Sequence, residues 1–191
     1  LGAGTTAVSQ VETVQGSTGT DTITMLAAGD LAVSVVETVV GTASTTADDV
    51  LQLLGGATAS VSAIESIVGG TGADAVTMLA AGTVSISAID SLIGSSGTDI
   101  ASMIAAGTVN VSRVETVLGS SGTDIAKLLG AGSMAVSEVE TIVGSSGTDS
   151  ISMLAAGTLA ASLVETVIGT ASTTEDDVLR ILGGGATAVS A

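Results

Sequence analysis

Phenylalanine, tryptophan, tyrosine, histidine, cysteine and proline are all absent from the 191 residues of this chain. Without aromatic rings an irregular core loses its usual filling. Yet 46% of the residues are hydrophobic, and all of them are Ala, Val, Ile, Leu or Met. Side chains of that size suit a narrow interior in which the same small gap recurs. The lack of cysteine excludes disulfides and thiolate metal sites. The lack of His, Cys and Tyr removes the commonest general bases and nucleophiles. Paired carboxylates such as Asp48 and Asp49 recur in copies, whereas general acid–base catalysis needs a carboxylate in one distinctive pocket. The chain therefore reads as non-enzymatic.

Positive charge is nearly absent too. Arg113, Lys127 and Arg180 stand against 19 acids, for a formal net charge of -16. Affinity for nucleic acid rests on Lys and Arg, and anionic membranes attract the same residues, so neither partner is expected. Bound cations fit this charge, and so does a plain solubilising role for the acids. Gly, Ser, Thr and acids interrupt every apolar stretch before the roughly 18 residues of a membrane span, so no membrane insertion is expected. No signal peptide is visible after Leu1.

What is present is a repeat that covers the whole chain. Units span 1–25, 26–53, 54–78, 79–103, 104–128, 129–153 and 154–181, with a partial unit at 182–191. Nearly every unit carries an A-A-G or G-A-G corner, a stretch like V-S-x-V-E-T-V, and a G-x-x-G-x-D turn before an apolar run. The units starting at Leu26 and Leu154 have three extra residues and a T-A-S-T-T segment. Residues 1–25 and 129–153 agree at 17 of 25 positions, which sets a longer block of five units. Such a block, entered midway, reads as an excerpt of a longer chain.

A unit this short cannot bury an apolar face alone, but stacked copies can. Val109-Asn110-Val111-Ser112, Thr22-Ile23-Thr24-Met25 and Ser150-Ile151-Ser152-Met153 alternate with strand period and use β-branched residues. The expected fold is all-β: a parallel β-solenoid, one unit per coil of about 25 residues, with three short strands in each. At about 4.8 Å per coil, seven coils would make a rod about 34 Å long. Val14, Val39, Ile67, Leu92, Val117, Ile142 and Val167 share one phase, and should form one buried column about 5 Å apart. The alternative is a strand-plus-short-helix solenoid, with helix at Asp124–Leu129 or after the capping-box pattern Thr46-x-x-Asp49. The Thr-Ile-Thr and Ser-Ile-Ser versions of that segment are poor helix formers.

Stacking would turn repeat positions into ladders. Glu12, Glu37, Glu65, Asp90, Glu115, Glu140 and Glu165 form one, expected to point outward. Like charges about 4.8 Å apart in water repel by roughly 0.9 kcal/mol, which an exposed surface tolerates. Ser9, Ser34, Ser62, Ser87, Ser112, Ser137, Ser162 and Ser190 form another. These read as a corner whose hydroxyls satisfy the backbone, with a flat ice-binding or glycan-facing surface as the alternative, and the regular T-x-T rows that an ice-binding face wants are missing. Gln10, Val35, Ala63, Ala88, Arg113, Glu138 and Leu163 occupy one variable outward position, and its apolar members are candidate lateral contacts.

The third ladder is Asp21, Asp74, Asp99, Asp124 and Asp149, each ending a G-x-x-G-x-D turn. Residues 69–77, GGTGADAVT, fit the calcium-binding nonapeptide G-G-x-G-x-D-x-U-x. Calcium wants six to eight oxygens, which stacked turns at Asp74, Asp99, Asp124 and Asp149 would supply. The alternative is an Asx-type turn, with the carboxylate holding backbone N–H groups. On these motifs the chain resembles the RTX (repeats-in-toxin) group of secreted bacterial proteins. The resemblance implies secretion, a cell-surface location and calcium. Four of the five turns depart from it by lacking the motif's second glycine, there is one turn per unit, and the long units lose the motif. The expected function is a structural extracellular repeat protein, self-associating into a bacterial surface fibre, sheath or layer. The alternative is a calcium-responsive adhesin stalk with a surface glycan or other cell-surface partner.

Overall fold

The computed structural model describes residues 2–44, 46–183 and 188–190. Among them there are 22 strands and no helix. The alternating segments fold as read: Gly107–Ser112 and Asp99–Met103 bury every second residue. The strands form two parallel sheets of eleven, and successive strands fall alternately in one sheet and the other. The first sheet begins with Gly4–Val8 and Asp21–Met25, the second with Thr13–Gln15 and Asp30–Ser34. Each coil is thus one strand from each sheet joined by a turn at either edge. The molecule is a β-solenoid.

The coil is not the repeat unit. Gly82 pairs with Asp99, seventeen residues on, and Thr22 pairs with Thr38, sixteen residues on. Coils hold roughly 17 residues, in about ten turns. A 25-residue unit does contain three strands, as Asp99–Met103, Gly107–Ser112 and Thr116–Leu118 show. A coil has only two, so one unit makes one and a half coils, and each unit is turned half way round the rod from the last. The physical reason for this correction lies in the side chains. A three-sided coil encloses a wide interior, whereas two sheets about 10 Å apart leave a slot that Ala, Val, Ile, Leu and Met fill unaided. Eleven rungs at about 4.8 Å give a rod about 50 Å long.

The expected single column is corrected in the same way. Val14, Val39, Ile67, Leu92, Val117, Ile142 and Val167 are all buried, but they alternate between the sheets. The columns that form mix three unlike positions of the repeat. Val84, Ala101, Val117 and Val136 stack in the second sheet, and Ala59, Val76, Leu92 and Val111 stack in the first. The candidate helix at Asp124–Leu129 is instead the strand Asp124–Leu128. In the long unit that starts at Leu154, the three extra residues enlarge the turn 169–177 rather than adding helix, and the segment after Asp49 is the strand Val50–Leu53.

Candidate functional site

Two strands per coil and three strands per unit put three kinds of turn on each edge in rotation. Rising along one edge they are the I-A-A corner (104–106), the glycine turn (119–123) and the x-V-E turn (138–140). The polar residues singled out by the sequence all meet here, across neighbouring coils.

The x-V-E turn reverses the chain through a residue at positive φ. Gln10, Val35, Ala63, Ala88, Arg113, Glu138 and Leu163 all lie at φ 51–55, the left-handed region that costs an L-residue roughly 1–2 kcal/mol. The reversal turns the next residue inward, so that Val114 or Val139 plugs the edge of the core. It also presses a carbonyl onto the glycine turn below. A Cβ on Gly119 would stand 1.7 Å from the Glu138 carbonyl oxygen, and one on Gly122 would stand 2.4 Å from the Ala106 Cβ. Both glycines of G-x-x-G are thus required by close approach of the neighbouring coils. The Gly119 N–H donates to the Ser137 carbonyl at 2.8 Å, so the serine ladder serves the edge through its backbone.

Beneath each glycine turn lies a buried aspartate. Asp124 Oδ2 accepts the Ser120 N–H at 2.6 Å and the Ser120 hydroxyl at 2.8 Å. Its Oδ1 accepts the Gly107 N–H of the coil below at 3.0 Å. Its own N–H donates upward to Glu140 Oε2 at 2.7 Å. Three consecutive coils are stitched through one residue. The same set recurs at Asp99 with Gly82, Ser95 and Glu115, and at Asp149 with Gly132, Ser145 and Glu165. At Asp74 the partners are Ala57, Gly70 and Asp90. Serine in place of the motif's second glycine adds a hydroxyl donor that Gly70 lacks. At Asp21 these bonds hold the carboxyl below its ordinary pKa. The Ser17 N–H contributes most, and the Ser17 hydroxyl and Gly4 N–H assist against the opposing effect of burial.

The expected ladders are rearranged by the half-turn. Asp74 and Asp124 lie on one edge, Asp99 and Asp149 on the other, and same-edge copies are three coils apart. The four turns therefore do not stack on consecutive coils. The glutamates alternate likewise, which sets them about 14 Å apart on one edge, beyond the Debye length of about 10 Å. Glu115 and Glu140 are exposed as expected, but their carboxylates bend back to cap the N–H of a buried aspartate. Among the described residues no group of three or more acids is placed to share a metal ion.

Two members of the set escaped the sequence pattern. Asp49 and Asp177, in the long units, accept the N–H and hydroxyl of Thr42 and Thr170 across seven residues rather than four. The signal was there, in the aspartate immediately before the V-L-x-L or V-L-x-I strand. The longer turn fits less well. Gly29 reaches Asp49 Oδ1 only at 3.3 Å, and Asp177 Oδ1 is the one buried side-chain polar atom without a hydrogen-bond partner among the described residues.

The edges also carry shallow grooves between the x-V-E turn and the L-A-A-G or L-G-A-G corner. One of about 250 Å³ runs between Arg113, Glu115 and Met134, and another of about 180 Å³ between Ala63, Glu65 and Val84. They repeat with the array rather than marking one place on it. No protein-family model, curated protein or solved structure matches the chain.

Proposed function

We propose that this array is a structural module, a rigid rod whose copies associate into an extended assembly such as a fibre, sheath or surface layer. One observation carries the proposal. The repeated polar residues are committed to joining coils: at six successive turns from Asp21 to Asp149 the aspartate N–H donates to the carboxylate of an acid sixteen residues on, at 2.7–2.8 Å. A catalytic site needs one place unlike the rest, and a rod needs every place alike. We read the chain as non-enzymatic on that ground.

The extracellular, bacterial-surface part of the proposal rests on the RTX-like turn at 69–77. Calcium at these turns belongs to the alternative, a responsive stalk. An ion there would displace N–H donors that the carboxylates already accept. Negative-stain electron microscopy of the native material tests the main proposal. Filaments or flat sheets are expected. A compact, monodisperse monomer of 18.0 kDa would contradict it.

A further inference from the structure

Charge on this molecule is sorted by geometry. All 19 acidic residues lie either in an edge turn or on the first residue of a strand. Of the three cations, Arg113 lies in an edge turn, whereas Lys127 and Arg180 stand on strands of the first sheet. The outward face of the second sheet is left uncharged among the described residues, save Asp30 at its margin. Its rows are hydroxyl-bearing and aliphatic: Ser66, Ser85, Ser102 and Leu118 in one, Ile100, Thr116, Ala135, Ser152 and Ile168 in the next.

We propose that this face packs against the same face of a second copy of the chain. This rests on the self-assembly proposed above and names one of its contacts, the pairing of two copies, with further contacts left to extend the assembly. A chain of net charge -16 repels its copies in most orientations. Face to face through the second sheet, the acidic edges of both copies stay in water, and apart from Asp30 at the margin only neutral side chains are buried. The first sheet does not offer this, because pairing it with itself would bring Lys127 and Arg180 into the contact. The area is sufficient. Eleven strands at about 4.8 Å, each about 15 Å wide, give about 750 Å² per copy, close to the roughly 800 Å² per partner of a standard stable interface. The hydroxyl-bearing and aliphatic side chains of this face are of the size that lets two parallel sheets pack at about 10 Å. The same patch on both partners is what a two-fold dimer requires.

The test compares Ser85→Lys/Ser102→Lys, neighbours on the second sheet, with Ser60→Lys/Thr77→Lys, neighbours on the first. Both pairs reduce the net negative charge, so general electrostatics would favour association in either variant. Sedimentation equilibrium is the readout, with circular dichroism and thermal melting to confirm folding. The wild type and the first-sheet variant should associate alike, and the second-sheet variant should dissociate at least tenfold more readily. Equal association of both variants with the wild type, or loss confined to the first-sheet variant, overturns the face and leaves self-assembly standing. A monomeric wild type overturns self-assembly itself. Should the lysine pair prevent folding, single cysteines decide, since the chain has none of its own. Ser102→Cys on the central strand of the second sheet should cross-link between chains on oxidation, and Thr77→Cys should not. The reverse result overturns the proposal.

Discussion

Aspartate is the residue that the foot of the glycine turn demands. Asp124 receives three donors, the N–H groups of Gly107 and Ser120 and the Ser120 hydroxyl, and offers acceptors only. Asparagine would meet donors with donors. Hydrogen bonds to a charged group contribute about 1.5–3 kcal/mol each, and buried groups left unsatisfied are expensive. Asp124→Ala should therefore lower stability by about 3 kcal/mol, read as a reduced urea midpoint. Ser120→Gly should lose about 1 kcal/mol, since one neutral donor goes and Gly70 already serves Asp74 this way. An Asp124→Ala protein as stable as the wild type would show the stitch to be ornamental. The carboxylate's turn could be read in the sequence because Ser120 lies only four residues from Asp124. The glutamate's part could not. Glu140 meets Asp124 across coils, sixteen residues on, and that distance is known only once the coil length is.

At the scale of strands and turns, local pattern was a sound guide wherever it was local. The alternation in Val109–Ser112 became a strand with Val109 and Val111 inside. The T-A-S-T-T insertion left a helix open as the alternative because a capping-box pattern and a wide turn look alike in sequence. What decides between them is the Thr42 bond to Asp49, which ties the loop's two ends together. The glycines separate into two kinds by surroundings. Gly119 faces a carbonyl 1.7 Å from where a Cβ would stand, whereas Gly130 has open space around it. Gly119→Ala should destabilise by clearly more than 1 kcal/mol, and Gly130→Ala should be neutral or raise stability by about 0.4–1 kcal/mol. Thermal melting of the two variants side by side is the check. Equal melting temperatures would mean the coils are not packed as closely as the glycine turns imply.

For the whole molecule, the repeat announced a solenoid and the missing aromatics announced a narrow core, but the number of sides was hidden. Equal phase in the sequence promises equal surroundings. It does not promise the same side of the rod. Because each unit holds an odd number of strands and each coil an even number, Val117 and Ile142 are equally buried yet belong to different sheets. The same parity keeps like-charged glutamates three coils apart and gives each edge all three kinds of turn. One measurement reaches this directly. Ser60 and Thr77 are register neighbours in the first sheet, close enough for a disulfide, which needs Cα atoms about 4.4–6.8 Å apart. Ser60 and Ser85 hold the same place in consecutive units but lie on opposite sheets. In the cysteine-free chain, at dilution, the Ser60→Cys/Thr77→Cys protein should close an intrachain disulfide on oxidation, and the Ser60→Cys/Ser85→Cys protein should not. Closure of the second pair and not the first would mean that one unit makes one coil, and the half-turn account would be wrong.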